Sequence, residues 1–243
     1  MIWSGVYLDA KKALTHVKKP SIEFTFESAV RNLNQVIESE GASNSYTAPP
    51  RETNLSLLVS TLKPETIIDW GGGSGWVFDY IARTNWNNSI RKYYVVEQPE
   101  LIEKLTELGC ASRHKNLIFT ESIPIEEGAV FYSNSSIQYI EDHYLIEIVK
   151  KSKCKHIFIE NFLGGEHEDF YTLQKFYDGQ FLVKFRNLDK FVDTLLSAGY
   201  RLMSCIPYVS VIKGNYQFLP MENFDDSHKY THSFSLYFQE VMG

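Results

Sequence analysis

From Thr66 to Ala198 short apolar runs alternate with stretches of helical periodicity, and no other feature of this 243-residue chain restricts its fold as strongly. The runs are TIIDW from Thr66, KYYVVEQ from Lys92, NLIFTES from Asn116, AVFYSNS from Ala129 and HIFIENF from His156. Between them PELIEKLTELG puts Leu101, Leu105 and Leu108 on one face with Gly109 behind it, and EDHYLIEIVKK does the same with Leu145, Ile148 and Val149. Such alternation builds a parallel sheet, because each helix returns the chain to the starting edge and buries its own apolar stripe on the way. The expected class is α/β. An aromatic-rich connection runs from Phe162 to Phe185, then a helix from about Asn187 to Ala198 ends at Gly199. Two strand patterns close the chain, YRLMSCIPYVSVI from Tyr200 and THSFSLYFQEV from Thr231. In the last, Phe234, Leu236 and Phe238 alternate with polar residues, which suits an antiparallel strand.

Upstream of Thr66 the pattern is different. SIEFTFESAVRNLNQVIESE places Phe26, Val30, Leu33 and Ile37 at helical spacing over 21–40, with Gly41 as its cap. A polar stretch follows, then Leu55, Leu58, Val59 and Leu62 form a second helical face that Lys63 and Pro64 stop. Residues 1–63 are therefore expected to be a helical cap on a domain of residues 64–243. No internal repeat or low-complexity segment appears.

Composition narrows the function. A net charge of −6 argues against a general nucleic-acid binder, whose affinity comes from clustered Lys and Arg. The one basic cluster, KKSKCKH at 150–156, falls where a helix ends, and cations there complement the helix dipole. No stretch nears the roughly 18 apolar residues of a membrane span, and no apolar signal segment follows Met1, so a soluble cytoplasmic protein is expected. Cys110, Cys154 and Cys205 are odd in number and form no CxxC pair, which suggests neither a disulfide framework nor a zinc site. A small-molecule partner is the expectation that remains.

The first strand pattern runs straight into bare backbone, DWGGGSG. In an open parallel sheet, ligands bind beyond the carboxyl ends of the strands, near the point where strand order reverses. Asp69 stands at such an end, Gly71, Gly72 and Gly73 let the chain turn sharply without a Cβ in the way, and the next helix begins with free N–H groups. A dinucleotide fingerprint G-x-G-x-x-G counted from Gly71 needs its third glycine at position 76, which is Trp76. Trp70, Trp76 and Phe78 read as packing. On the next strand Glu97 lies 22 residues beyond Gly75, and an acid there can accept both hydroxyl protons of a ribose.

The acidic-x-G-x-G-x-G string of Asp69, Gly71, Gly73 and Gly75 resembles the first motif of class I S-adenosylmethionine-dependent methyltransferases. DWGGGSGWVFDYI, YYVVEQPEL, SNSSIQYIED and LLSAGYRL look most like a little-characterised group of bacterial methyltransferases assigned by sequence. The resemblance covers about residues 66 to 240. It implies a doubly wound, mostly parallel seven-stranded Rossmann-like sheet with the last strand antiparallel between the fifth and sixth, and S-adenosylmethionine as cofactor. It implies that the glycine turn with Gly72 holds the methionine portion and that Glu97, with Gln98 beside it, meets the ribose. Glu121 and Ser122 would meet the adenine, and Ser133 and Asn134 the amino-acid end.

Methyl transfer from a sulfonium is an in-line displacement, so holding the acceptor in line is the main task and no protein nucleophile is needed. A hydroxyl acceptor benefits from a general base. The long 162–185 connection, with Gly164, Gly165 and the aromatic residues Tyr171, Phe176 and Tyr177, is expected to wall the acceptor pocket, the N-terminal helices to roof it, and His167 to be the candidate base. Glu166, His167, Glu168 and Asp169 are adjacent in the chain and so unsuited to converge on one ion; no metal is expected. Asn54, Asn87 and Asn134 match the glycosylation pattern by chance. Two rival readings stay open: an NAD-dependent oxidoreductase, which the glycine register disfavours, and a catalytically silent scaffold that binds the cofactor or a partner.

Overall fold

The computed structural model describes residues 2–17, 30, 54–83, 89–176, 179–212 and 215–241. The helix expected over 21–40 and its Gly41 cap lie outside these residues, as does Tyr177. The main sheet contains β2 (Thr66–Trp70), β3 (Lys92–Val96), β4 (Leu117–Thr120), β5 (Val130–Asn134), β6 (His156–Phe162), β10 (Tyr200–Tyr208) and β13 (Ser233–Glu240), in the order β10-β13-β6-β5-β2-β3-β4. The pairs β2–β3, β3–β4, β2–β5 and β5–β6 are parallel, while β13 is antiparallel to both β6 and β10. The last strand thus enters between the fifth and sixth, as the resemblance implies. Strand order reverses at β2, with β3 on one side and β5 on the other.

Side chains alternate across each strand, so neighbouring residues feed opposite faces. Ile67, Tyr93, Val95, Val130 and Tyr132 pack with Leu55 and Val59 of α2 (Leu55–Leu62) and with Trp76, Val77, Phe78 and Ile81 of α3 (Trp76–Arg83). On the other face Ile68, Phe131, Ile157 and Ile159 meet Leu145, Ile148 and Val149 of α5 (Asp142–Ser152) and Phe191 and Leu195 of α6 (Leu188–Ser197). Leu101 and Leu105 of α4 (Pro99–Glu107) form a small third contact with buried Cys110. The central strands β2, β5 and β6 are covered on both faces, which explains their continuous apolar runs.

Three expectations are corrected. The first 63 residues are not helical throughout: after β1 (Trp3–Tyr7) only the short α1 (Ala10–Leu14) precedes residue 17. Trp3 is buried edge-on to Phe185 at 5.4 Å, and Gly5, at φ 78°, sits within the register shift that lets the strand bend. The 162–185 connection is likewise not an open loop. It contains β7 (Gly164–Gly165), β8 (Phe170–Phe176) and β9 (Gly179–Asn187), which with β1 form a second sheet in the order β1-β8-β9-β7. Phe170 is fully buried and stacked on Phe185 at 4.8 Å, so its ring fills the core of this second sheet. Met221, Phe224 and Tyr230 cover the same core. The strand expected over 200–212 breaks after Tyr208, and β11 (Ser210–Ile212) pairs with β12 (Asn215–Gln217) instead.

Charged side chains tie the second sheet to the segment that follows β5. Arg186 of β9 is buried and donates from Nε to Asp142 Oδ1 at 2.6 Å and from Nη2 to the carbonyls of Ile137 and Ile140. Lys184 pairs with Asp142 at 2.9 Å, Asp169 at 3.1 Å and Glu141 at 3.4 Å. Burial would raise the Asp142 carboxyl, but Arg186 and Lys184 outweigh it and hold it below the usual range. Arg186→Leu leaves Asp142 without its main partner and strips two carbonyls. The expected loss is about 3 kcal/mol or more, the scale for breaking a buried pair from one side, and urea unfolding measures it.

Candidate functional site

The carboxyl ends of β2, β3, β5 and β6 meet at the reversal of strand order. Beyond Trp70 the chain turns through Gly71 at φ 69°, Gly73 at 57° and Gly75 at 75°, left-handed values that cost a side-chain-bearing residue about 1–2 kcal/mol each. A Cβ on Gly71 would strike Ser136, one on Gly72 would strike the Asp69 carboxylate, and one on Gly75 would press on Leu117 at 3.0 Å. A Cβ on Gly73 would meet nothing within 4 Å. Three of these glycines let protein pack onto the turn, and Gly73 faces open space.

Asp69 lies directly under the turn, 1% exposed, and Tyr93 Oη donates to its Oδ2 at 2.8 Å. Burial, and after it the Glu97 and Glu160 carboxylates, push its carboxyl up to about 8, with the Tyr93 bond pulling the other way. Glu97, half-buried at the end of β3, accepts from Gly73 N at 2.9 Å and from Gln98 N at 3.3 Å. Burial raises its carboxyl too, against those two N–H donors. Gly71 N donates to Val96 O at 2.9 Å, so the turn is bonded to β3 at two points.

The remaining expected residues divide. Gln98 is exposed and precedes α4; Glu121 and Ser122 are exposed past the end of β4. Ser133 is buried, with Oγ donating to Trp70 O at 3.1 Å, so its hydroxyl ties β5 to β2. Asn134 is half-buried between Ser135 Oγ at 2.7 Å and the Tyr132 hydroxyl at 3.3 Å. The His167 ring is 4.8 Å from that of Tyr230, and its Nε2 is 3.4 Å from Lys229 O. Glu168 pairs with Lys190 and Asp169 with Lys184, and among the described residues no group of His, Cys, Asp or Glu forms a metal-ligand set.

Sequence reasoning missed five participants. Glu160 of β6 is fully buried and accepts from Tyr132 Oη at 2.7 Å and from the Asn54 N–H, at the start of α2, at 2.7 Å. Ser136 donates to Gly71 O at 3.1 Å across the crevice. Behind the turn Arg113 donates to Ser74 O and pairs with buried Asp79 at 3.1 Å, which His114 also meets at 2.8 Å. Asp79 and Arg113 gave only a weak signal, an acid in the first turn of a helix and a cation before a strand.

The sequence matches no protein-family model and no curated protein. Among solved structures, an assigned S-adenosylmethionine-dependent methyltransferase from Listeria monocytogenes is similar over 74% of this chain and 92% of its own, at 16% identity and a TM-score of 0.52. A second, from Clostridium acetobutylicum ATCC 824, is similar over 87% and 98%, at 9% identity and a TM-score of 0.50.

The raised Asp69 carboxyl carries a stability consequence. The folded protein keeps a proton that the unfolded chain releases near pH 4, so folding stability falls as pH rises from about 4 to about 8 and levels off above. Asp69→Asn removes that slope. Urea unfolding of both proteins across this range is expected to show the variant gaining on the wild type as pH rises. Strand order, glycine turn and solved neighbours agree that the fold is that of the class I S-adenosylmethionine-dependent methyltransferases.

Proposed function

We propose that this protein transfers the methyl group of S-adenosylmethionine to a small-molecule oxygen or nitrogen acceptor. The observation that carries the reading is the pairing of Glu97 with the glycine turn: a carboxylate at the end of β3 bonded to Gly73 N, where a Cβ would meet nothing within 4 Å. A carboxylate has about four acceptor positions, so Glu97 retains capacity for two ribose hydroxyls while it holds the turn. The residues fit the cofactor: Gly71, Gly72, Gly73 and Gly75 with Asp69 take the methionine portion, Asn134 and the β5 end at Ser133 its amino-acid end, and Glu121 with Ser122 and Gln98 border the adenosine. When bound, the cofactor supplies an electrophilic methyl group on a sulfonium.

The chain's own work is then alignment and exclusion of water. The acceptor sits over the ends of β5 and β6, bordered by the segments that follow β6 and β10. His167 is the candidate base for a hydroxyl acceptor. An NAD-dependent reading is less well supported, because Trp76 occupies the third glycine position and its indole is buried under the turn. The negative net charge favours a small acceptor over nucleic acid, and among the described residues no helix is long and apolar enough to cross a membrane.

Calorimetry with S-adenosylhomocysteine tests the cofactor reading directly. Binding is expected with that ligand and not with NAD, and Glu97→Ala is expected to lose about 1.5–3 kcal/mol of it, the range for hydrogen bonds to a charged group. NAD binding in place of S-adenosylhomocysteine sinks the reading. Once an acceptor is in hand, His167→Ala is expected to lower turnover by about 10²-fold with cofactor affinity intact. Full activity in that variant leaves alignment as the mechanism.

A further inference from the structure

We propose that Arg113 is a positioning residue of this site: it holds the Ser74 carbonyl from behind the glycine turn and so keeps the turn in the shape that the cofactor enters. The inference rests on the methyltransferase reading above and adds to it a residue that acts on the ligand only through backbone.

The turn is anchored peptide by peptide. Gly71 N donates to Val96 O at 2.9 Å, Ser136 Oγ donates to Gly71 O at 3.1 Å, Gly73 N donates to Glu97 Oε1 at 2.9 Å, and Gly75 N donates to Gly72 O at 3.0 Å. Ser74 lies between two glycines of positive φ. It is fully buried, yet its hydroxyl has no hydrogen-bond partner among the described residues, so its side chain does not fix it by a hydrogen bond. What holds this residue is the bond that its carbonyl accepts from Arg113 Nη2.

Arg113 is itself built into place. The same Nη2 pairs with Asp79 Oδ2 at 3.1 Å, while His114 Nε2 meets Asp79 Oδ1 at 2.8 Å, so both oxygens of this buried carboxylate are engaged and its plane is set. Arg113 Nε and Nη1 are buried with no hydrogen-bond partner among the described residues, which leaves both tasks to one nitrogen. The first task is to neutralise Asp79, since a buried charge is costly without a partner. The second is to hold Ser74. Lysine separates them: its ammonium carries the charge but falls about 1.3 Å short of Nη2, the length of one C–N bond, and so cannot bridge carboxylate and carbonyl together. Once the carbonyl is released, the flanking glycines let the turn sample other shapes, and affinity falls with the fraction of molecules that leave the competent one.

Three measurements on the whole protein test this. Calorimetry with S-adenosylhomocysteine gives affinity, urea unfolding gives stability, and hydrogen exchange read by NMR without ligand reports the amides of Gly71, Gly73 and Gly75. Arg113→Lys is expected to unfold at nearly the wild-type urea concentration, to bind about tenfold more weakly and to exchange these amides about tenfold faster. The double variant Asp79→Asn with Arg113→Met removes the buried pair from both sides, a change often near neutral for stability, and is expected to show the same two losses. It carries the test if lysine is not tolerated. Wild-type affinity in either folded variant, or weaker binding with unchanged exchange at the turn, overturns the role of Arg113 and leaves the methyltransferase reading standing. Wild-type turn amides that exchange as fast as those of an unstructured peptide overturn it too. No binding of S-adenosylhomocysteine by the wild type overturns both.

Discussion

Everything at the carboxyl edge depends on a backbone that turns left-handed three times in five residues. Gly71, Gly73 and Gly75 do this with positive φ, and the turn closes onto Asp69 at Gly72, Ser136 at Gly71 and Leu117 at Gly75. The turn is thereby packed from below, from β5 and from β4, and its one open direction is at Gly73. Arg113 fixes it from behind by holding the Ser74 carbonyl while neutralising Asp79 in the next helix. A loop so constrained arrives at a ligand already shaped, and little ordering entropy remains to be lost on binding.

Charge at this edge runs one way. Asp69, Glu97 and Glu160 come from three different strands, and their hydrogen-bond donors include tyrosine hydroxyls and peptide N–H groups. Neutral donors satisfy the geometry of a carboxylate without cancelling its charge, and burial then raises the Asp69 and Glu97 carboxyls. The contrast with Asp142 is instructive. That carboxylate lies between Arg186 and Lys184, stays ionised, and clamps the second sheet to the segment that follows β5. One acid is held ionised and the other is pushed up by burial, and the difference is whether a cation pairs with it.

Much of this was legible beforehand. The five parallel strands, the helices between them and the antiparallel last strand follow from apolar runs whose period and punctuation are local properties. Asp69, the glycine turn and Glu97 were also legible, because a turn that needs positive φ leaves glycines in the sequence and an acid at a strand end leaves an isolated charge. Less legible were β1, which pairs with a partner more than 160 residues away, and the aromatic connection after β6. Tyr171 reads as the wall of a pocket, and the strand it lies in is defined only by the pairing of β8 with β1 and β9.

The sequence by itself determined the class of fold and the place where a ligand meets backbone, since both rest on short-range rules: period two against period 3.6, and the absence of a Cβ where φ is positive. What the tertiary structure decided is the chemistry of each polar group found there. Glu160 looks like any acid in HIFIENF until β6 is laid beside β5 and α2 and its carboxyl becomes the cap of a distant helix. Ser133 points to the backbone of β2 rather than outward. Asp69 becomes a buried acid beside two others only when three strands bring their ends together. Protonation and hydrogen-bond direction depend on neighbours remote in the chain, and a linear pattern carries no record of them.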